Sequence, residues 1–160
     1  MLLHQEYEGN SGHEAGIALL AELYRQKTGL PLPRIAVTPR GKPYFPESDL
    51  HFSISHTKGH AFCVLSVKNV GLDAELLGRK LSLSLTEKVL SPSEKAQFDA
   101  ASDKHRALLT FWVLKEAAAK LSGEGLQGYP NHTNFTLDDP RVTELHGCLV
   151  AVLTEDDHAL

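Results

Sequence analysis

Four charged side chains in this 160-residue chain have the types and spacings that phosphate chemistry requires. Asp73 and Glu75 lie two residues apart, so on a strand they project from one face. Glu116 and Lys120 lie four residues apart, so on a helix they share one face. Neighbouring carboxylates repel unless a cation lies between them, and Mg²⁺ prefers such oxygens together with phosphate oxygens. The set predicts a divalent metal beside an anionic phosphate, and a phosphoryl-type transfer.

Each half of this set also has a simpler interpretation. The first two carboxylates would equally suit the solvated end of a strand, and Glu116 with Lys120 would suit a surface ion pair of about 0.3–0.5 kcal/mol. On the predicted helix, however, Trp112 lies on the same side as Glu116 and Lys120. A freely solvated face rarely carries an indole ring, so a covered cleft lined also by Lys115 is favoured.

Further candidates for binding phosphate lie upstream. Ser55 and His56 close a predicted strand and enter a turn, where an imidazole and backbone amides can donate to phosphate. Lys42 lies on a turn that glycine and proline make rigid, and it would supply another phosphate contact. A lone histidine is more often structural and a turn lysine more often solvated. No aspartate at a triad-like position supports hydrolysis by a Ser-His-Asp triad.

Helix and strand signals place these residues in a mixed α/β framework. Ser91 followed by Pro92 marks a helix start, and Gly29 and Gly123 mark helix ends. The patterns predict four helices, over residues 13–27, about 86–90, from Pro92 onward, and over 104–121. They predict strands over residues 34–38, 50–55 and 61–67, a short strand that ends at Asp73, and strands over 141–146 and 148–154. The order indicates one domain over residues 1–160 with similar halves at about 1–72 and 73–160.

Composition limits the class of protein. The chain is 42% hydrophobic and 22% charged, as is typical of a globular protein, and its net charge of −4 argues against nucleic-acid binding. No apolar run reaches the ~18 residues that cross a bilayer, and the N-terminus has no signal-peptide pattern. Cys63 and Cys148 lie in apolar runs, which predicts buried free thiols. We therefore expect a cytoplasmic protein, and a monomer because one chain holds both halves.

Four motifs occur in a characteristic order along the chain. They are 41–45 (GKPYF), 52–56 (FSISH), 71–75 (GLDAE) and 112–117 (WVLKEA) with Lys120, and 123–126 (GEGL) follows them. In sequence and order these motifs resemble the motif series of the 4′-phosphopantetheinyl transferases of the Sfp type. The resemblance covers more than half of the chain.

The resemblance implies a fold and an activity. The fold is α/β (α+β), with two similar helix-plus-antiparallel-strand subdomains and an active site between them. The implied enzyme is a phosphopantetheinyl transferase of the holo-[acyl-carrier-protein] synthase type. It moves 4′-phosphopantetheine from coenzyme A to a serine of an apo acyl or peptidyl carrier protein and releases adenosine 3′,5′-bisphosphate. Its carriers would serve fatty acid, polyketide or nonribosomal peptide synthesis.

The resemblance also assigns roles to individual residues. Asp73, Glu75 and Glu116 match the acids that hold Mg²⁺, and Mn²⁺ also accepts oxygen-rich sites. Glu116, directly or through a water, would accept the proton of the carrier serine, and Lys120 would stabilise charge on the phosphate oxygens. The expected contacts with coenzyme A are Arg40, Lys42, Ser55, His56, Lys115 and Lys120.

Two further expectations concern phosphate and carrier binding. Residues 1–12 contain no lysine or arginine, although many family members carry basic residues upstream that reach the coenzyme A 3′-phosphate. Arg25, Lys27, Arg34 and Arg40 are the residues expected to substitute for them, and the sequence does not choose among these four. Residues 76–98 combine apolar side chains with Arg79, Lys80 and Lys88, which suits an acidic carrier protein but also ordinary helix packing.

Two other functions remain open at this point. One is a non-catalytic module that binds coenzyme A or a carrier protein, and the other is a metal-dependent hydrolase of nucleotide pyrophosphates. The presence of all three acids together with Lys120 disfavours mere binding, because binding alone does not require the whole set.

Overall fold

The computed structural model describes residues 1–125 and 133–158, and within them it contains four α-helices and eight strands. The helices are α1 (Gly12–Thr28), α2 (Thr86–Val89), α3 (Pro92–Ala100) and α4 (Lys104–Ser122). The strands are β1 (Leu2–Glu6), β2 (Ala36–Val37), β3 (Pro43–Tyr44), β4 (His51–Thr57), β5 (His60–Ser66), β6 (Val70–Leu76), β7 (Val142–Leu145) and β8 (Cys148–Thr154). Short 3₁₀ turns cover Leu83–Leu85 and Glu155–His158.

The strands form three antiparallel sheets. One sheet has the order β1-β5-β4, a second has the order β6-β8-β7, and β2 pairs with β3 in a small hairpin. Side chains of α1 share a core with β4 and β5, and side chains of α4 share another with β8. This arrangement confirms the mixed α/β class with antiparallel strands. The division into similar halves at about 1–72 and 73–160 stays a prediction.

Local sequence signals set the helix ends. The Ser91 hydroxyl accepts from the backbone N–H of Glu94, and the Glu94 carboxylate accepts from the Ser91 N–H at 2.9 Å, which completes a capping box. At the end of α4, Gly123 adopts a φ of +73°, where a side chain would be strained. The predicted boundaries of α1 and α4 are confirmed within one residue at each end.

The largest difference from the predicted elements is at the N-terminus. Strand β1 was not predicted, because five residues of mixed polarity carry little periodic signal, and it forms by pairing with β5. The predicted strand over 34–38 is shorter, at Ala36–Val37, and part of the predicted turn at 39–43 is the start of β3.

Cys63 and Cys148 are buried free thiols, as predicted.

Helix α4 packs directly on β6 at Gly71. A Cβ atom at this position would lie 2.0 Å from the backbone oxygen of Ala117 and 2.6 Å from the backbone nitrogen of Leu121. Neither atom can rotate away, so the helix would have to move off the strand. Gly71 therefore sets how closely α4 approaches the strand that carries Asp73.

We expect Gly71→Ala to lower the free energy of unfolding by about 1–3 kcal/mol, because the added methyl group overpacks two backbones. Gly78→Ala is the control, since a Cβ atom at Gly78 would have no other atom within 4 Å and this glycine has no positive φ. Urea unfolding of both variants measures the difference. Equal stability of the two variants would contradict the close contact between α4 and β6.

Candidate functional site

A cleft of about 450 Å³ lies between the β2–β3 hairpin, strand β4 and the C-terminal half of α4. Four of the charged residues expected at the site line it: Arg40, Lys42, Glu116 and Lys120. Its other described walls come from Phe52, Ser53 and Ile54 of β4 and from Gly123 and Gly125 after α4. The structure thus brings the predicted helix pair to the hairpin that carries the predicted basic residues. Leu126, the last residue of the motif at 123–126, lies outside the described residues.

Three hydroxyl side chains on β4 join this strand to β6. The Ser53 Oγ accepts from the backbone N–H of Leu72 at 3.0 Å. The Ser55 Oγ accepts from the N–H of Ala74 at 3.0 Å and donates to a carboxylate oxygen of Asp73 at 3.1 Å. The third hydroxyl, that of Thr57, donates to a carboxylate of β6 at 3.3 Å. These bonds link strands of two different sheets, so they fix where β6 lies beside the cleft.

Asp73 lies at the centre of the charged groups. Its Oδ1 accepts from the Ser55 hydroxyl and from the Lys120 ammonium at 3.0 Å, and Lys120 also donates to the Ile54 carbonyl at 3.4 Å. Its other oxygen, Oδ2, is buried and has no hydrogen-bond partner, and it is the only such buried side-chain atom in the described part of the chain. A buried oxygen without a donor is costly, so Oδ2 is suited to a cation.

The Glu75 carboxylate is paired with a positively charged side chain, that of Arg79. Arg79 lies four residues later in the chain, and the same carboxylate is the group that accepts from the Thr57 hydroxyl. Strand β4 therefore supports both carboxylates of β6. Asp73 and Glu75 are only 5% and 8% exposed, which excludes the interpretation of a solvated strand end.

All three carboxyl groups have raised pKa values. Burial is the main cause of the raised pKa of Asp73, and the Lys120 ammonium opposes it. Burial also raises the pKa of Glu75, and the negative charge of Asp73 adds to the effect. For the pKa of Glu116, burial acts first and repulsion from Asp73 second, with Lys120 opposing and Glu75 adding further repulsion. The three carboxylates therefore interact electrostatically, although Glu116 is distant from the others in sequence.

The donors fit a hard divalent cation by charge and by chemistry. They are carboxylate oxygens that repel one another, and one of them is buried without a partner. In the part of the chain that the structure describes, no three His, Cys, Asp or Glu side chains are already grouped as metal ligands. Lys120 and Arg79 supply the positive charge instead. A bound dication would have to share the carboxylates with these two side chains.

The raised pKa values predict how stability depends on pH. A carboxyl group whose pKa is higher in the folded protein than in the unfolded chain stabilises the fold fully while the pH is below the unfolded-state pKa. That stabilisation is lost as the pH rises through the raised, folded-state pKa. We expect the free energy of unfolding of the metal-free protein to decrease from this source as the pH rises above about 4.3, the ordinary pKa of a glutamate. Urea unfolding over a series of pH values, compared with Glu116→Gln, isolates the contribution. The same pH dependence in both proteins would contradict the repulsion.

The side chains of Lys42 and His56, expected to contact phosphate, are both in contact with other parts of the protein. The Lys42 ammonium donates to the Asn69 side chain at 2.6 Å and to the carbonyl of Leu121 at 2.7 Å, so two of its three hydrogens are used inside the protein. His56 is exposed, and its ring meets Tyr7 edge-on near the start of α1. Arg40 lies at the rim, 3.6 Å from the carboxylate of Glu124.

Lys115 is not brought to the cleft. Its side chain is 2% exposed and its ammonium lies 2.7 Å from the carboxylate of Glu94, which is fully buried. Glu94 also accepts from the Thr133 hydroxyl at 2.6 Å and from the N–H of Phe135 at 3.1 Å. The next residue, Glu116, lines the cleft, whereas Lys115 contacts α3. The expectation that Lys115 binds coenzyme A is therefore not supported by its position.

Ser55 is also enclosed by internal contacts. It is 4% exposed, and its hydroxyl is bonded to Asp73 and to the backbone of Ala74. To donate to a coenzyme A phosphate, as the motif led us to expect, this hydroxyl would have to give up its hydrogen bond to Asp73.

The sequence patterns did not identify several residues that shape this site. Ser53 and Thr57 repeat the spacing of Ser55, and that alternation of hydroxyls was the available signal for a contact with a second strand. Arg79 was expected to meet a carrier protein, but it pairs with Glu75. Asn69 lies in the turn between β5 and β6, and no sequence pattern indicated that it has a role at the site.

Part of the predicted carrier surface is core. Val89, Leu90 and Phe98 are each no more than 7% exposed and share a core cluster with residues of α4, so they are not available to a partner. Leu77 and Leu83 remain exposed in the same segment.

Comparison with known proteins supports the resemblance of the motifs. The sequence model of the 4′-phosphopantetheinyl transferase superfamily matches residues 69–155, which is more than half of the chain. The matched segment contains all three carboxylates and Lys120, whereas Lys42, Ser55 and His56 precede it. The resemblance that the motifs indicated is confirmed.

Individual relatives are similar over about half of the chain. A 4′-phosphopantetheinyl transferase of Bacillus subtilis is 30% identical over 89 residues, which are 54% of this chain and 39% of the relative. The 4′-phosphopantetheinyl transferase HetI of Nostoc sp. is 33% identical over 95 residues, 54% of this chain and 40% of the relative. That of Aneurinibacillus migulanus is 30% identical over 88 residues, 54% of this chain and 36% of the relative. The aligned parts thus span less than half the length of these curated relatives.

Proposed function

The chain belongs to the 4′-phosphopantetheinyl transferase superfamily, and from that premise we propose that it transfers 4′-phosphopantetheine from coenzyme A to a serine of an apo acyl or peptidyl carrier protein. The serine oxygen forms a bond to the phosphorus attached to pantetheine. The pyrophosphate P–O bond breaks, and adenosine 3′,5′-bisphosphate leaves with the electron pair. The observation that carries the proposal is the electrostatic interaction of Asp73, Glu75, Glu116 and Lys120 beside the cleft.

Glu116 is the proposed acceptor of the serine proton, directly or through a water. It lines the cleft, and its pKa is raised by burial and by repulsion from Asp73. A carboxylate with a raised pKa is a stronger base at neutral pH, which suits general-base catalysis. The proton therefore moves from the serine oxygen to the Glu116 carboxylate as the new P–O bond forms.

Lys120 is the proposed electrostatic partner of the phosphate oxygens. Its ammonium is fixed between the Asp73 carboxylate and the Ile54 carbonyl, and it lies on the wall of the cleft. A fixed positive charge at this position stabilises negative charge that develops on the pyrophosphate during transfer without a large reorganisation.

Asp73, Glu75 and Glu116 are the proposed ligands of Mg²⁺, or of Mn²⁺, which accepts similar oxygen donors. The unpartnered Asp73 Oδ2 and the mutual repulsion of the carboxylates support this assignment. When bound, the ion would neutralise charge between the carboxylates and the pyrophosphate. Asp73 could offer Oδ2 while Oδ1 keeps its contact with Lys120, whereas both oxygens of Glu75 already have partners in Arg79 and Thr57.

The rest of the coenzyme A site is proposed from the residues at and near the cleft. Arg40, Lys42, Lys120 and His56 offer positive or donor groups to its phosphates. Ser55 and Lys115, which were expected to do the same, are buried in internal contacts and have structural roles in this proposal. We propose further that residues 1–160 act as one cytoplasmic monomeric domain with this cleft as its active site.

Mass spectrometry of an apo carrier protein tests the function. The carrier is incubated with coenzyme A, Mg²⁺ and this protein. A mass gain of one phosphopantetheine unit, together with release of adenosine 3′,5′-bisphosphate, is the expected result. Unchanged carrier with intact coenzyme A would indicate a binding module. Coenzyme A cleaved without modification of the carrier would indicate a hydrolase. Either of the last two outcomes overturns the proposal.

Carrier binding is proposed for the exposed part of residues 76–88. Leu77 and Leu83 are 38% and 43% exposed, and the exposed Lys80 lies between them. We expect Lys80→Glu to raise the KM for an acidic carrier more than the KM for coenzyme A, because a rim charge acts mainly on encounter with the charged partner. Steady-state kinetics with each substrate varied in turn measures both constants. Equal changes in the two constants would contradict docking at this segment. Arg79 is unsuitable for the test because it contacts Glu75.

A further inference from the structure

The last turn of α4 is tied to two loops by a closed triangle of hydrogen bonds. The backbone carbonyl of Leu121 accepts from the Lys42 ammonium at 2.7 Å and from the Asn69 side-chain amide at 3.0 Å. The third side is the bond from the Lys42 ammonium to the Asn69 Oδ1 at 2.6 Å. We call these three groups the α4 clamp.

The clamp supplies hydrogen-bond donors to the C-terminal end of α4. The last carbonyl groups of a helix have no partner within the helix, and its C-terminus carries partial negative charge that favours a cation. The backbone N–H of Gly123, in the left-handed conformation, donates to the carbonyl of Ala119. The clamp provides donors for the carbonyl of Leu121, and these donors are side chains from outside the helix.

The clamp also fixes the two loops that meet the helix. Lys42 is held in its hairpin by a bond from its backbone N–H to the Thr38 hydroxyl at 3.0 Å. Asn69 is held in the β5–β6 turn, where its carbonyl accepts from the N–H of Glu155 at 3.1 Å. A Cβ atom at Gly123 would lie 3.1 Å from the Lys42 Cδ, so the lysine stem passes close to the helix cap.

The position of the clamp relates it to the chemistry. Leu121 directly follows Lys120, and Lys42, Glu116 and Lys120 line the same cleft. A shift of the last helical turn would move the Lys120 ammonium away from Asp73, and a misplacement of about 1 Å in an active site can cost about 100-fold in rate. Asn69 holds both the Lys42 ammonium and the helix end, but it is not among the lining residues.

We propose that Asn69 is a positioning residue of the transfer reaction, which holds Lys42 and the C-terminal turn of α4 in place for Lys120. This inference rests on the proposed function. Asn69 acts through its side-chain oxygen on Lys42 and through its side-chain nitrogen on Leu121. It therefore contributes to kcat without touching the substrates.

The test compares Asn69→Ala with Asn134→Ala. Asn134 is an exposed asparagine whose side chain accepts one bond from Ser93 at 3.1 Å on another part of the surface. Hydrogen exchange followed by mass spectrometry is the first readout, because it does not depend on any activity. We expect exchange in residues 117–122 to rise about five- to tenfold in Asn69→Ala, the effect of about one lost hydrogen bond, and to stay unchanged in Asn134→Ala.

Kinetics is the second readout. We expect Asn69→Ala to lower kcat about 10-fold to 100-fold while the KM for the carrier protein stays nearly constant, and Asn134→Ala to retain both values. In the double variant with Lys42→Met, the losses in kcat should be less than additive because both residues hold one carbonyl.

The outcomes separate the clamp from the function on which it depends. Unchanged exchange in residues 117–122 would overturn the clamp itself. Faster exchange with unchanged kcat would overturn the positioning role. A wild-type protein without transfer would refute the proposed function, and the exchange result would still decide on the clamp.

Discussion

Glu116→Gln is expected to lower kcat for carrier modification by roughly 10²–10⁴-fold, the usual contribution of a general base. The amide keeps the size and position of the side chain but cannot accept the serine proton or supply a charged oxygen to a dication. The KM for the carrier protein should change little, because Glu116 is not part of the proposed docking segment. Steady-state kinetics with saturating Mg²⁺ measures the effect.

The same substitution is expected to leave the protein at least as stable as the wild type. The Glu116 carboxylate is repelled by Asp73 and Glu75, and no hydrogen bond to it is found within residues 1–125 and 133–158. Removing its charge therefore relieves repulsion at neutral pH and sacrifices only its attraction to Lys120 and Arg79. The control is Glu47→Gln, an exposed turn position that should change neither property. A loss of stability that parallels the loss of kcat would show that Glu116 is structural.

Lys115→Met is expected to lower the free energy of unfolding by about 3–5 kcal/mol, the usual cost of breaking a buried ion pair from one side. Glu94 is fully buried, and without Lys115 its charge would face, among the residues that the structure describes, only neutral donors such as the Thr133 hydroxyl. Urea unfolding at neutral pH measures the change. Lys95→Met is the matched control, because Lys95 pairs with Asp99 on the exposed side of α3 and should cost at most about 1 kcal/mol.

A double variant separates the pair from the packing of the lysine stem. Lys115→Met with Glu94→Gln removes both charges. The glutamine oxygen can still accept from Thr133 and Phe135, whereas the amide nitrogen cannot accept from the Ser91 N–H. We expect the double variant to be clearly more stable than Lys115→Met alone, because no buried charge is left without a counterion. If the destabilisation of the double variant equals the sum of the destabilisations of the two single variants, Lys115 and Glu94 do not form a coupled pair.

Lys115 and Glu116 are neighbours that the sequence could not tell apart. They lie side by side in one motif, and both were expected at the cleft. On a helix, adjacent side chains differ by about 100° in direction, which is enough to send one to the cleft and the other to α3. Which direction each takes depends on Glu94, a residue that the sequence marks only as part of a helix start.

Local signals predicted the elements well. Ser91 with Pro92 and Glu94 specified the start of α3, and Gly29 and Gly123 specified the ends of α1 and α4, because capping chemistry involves residues close in sequence. Strand β1 was missed since its stability comes from pairing with β5, which begins far along the chain. No local pattern contains that partner.

The candidate site was predicted in part for the same reason. Motif order indicated that Asp73, Glu75 and Glu116 act together, and their raised pKa values reflect charges that interact. The hydroxyl row on β4 was visible as an alternation, but its bonds to β6 depend on how two sheets meet. The clamp at Leu121 was not predictable, since it combines a hairpin, a turn and a helix end.

A crystal structure with Mn²⁺ and coenzyme A would test the shared metal site most directly, with anomalous scattering used to locate the metal. Mn²⁺ takes oxygen ligands like those of Mg²⁺ and is identified by its anomalous signal. We expect one peak in contact with oxygen atoms of Asp73, Glu75 and Glu116, next to the pyrophosphate, with Asp73 Oδ2 among the ligands. A peak elsewhere, or three carboxylates that point into separate solvent regions, would contradict a metal site shared by these residues.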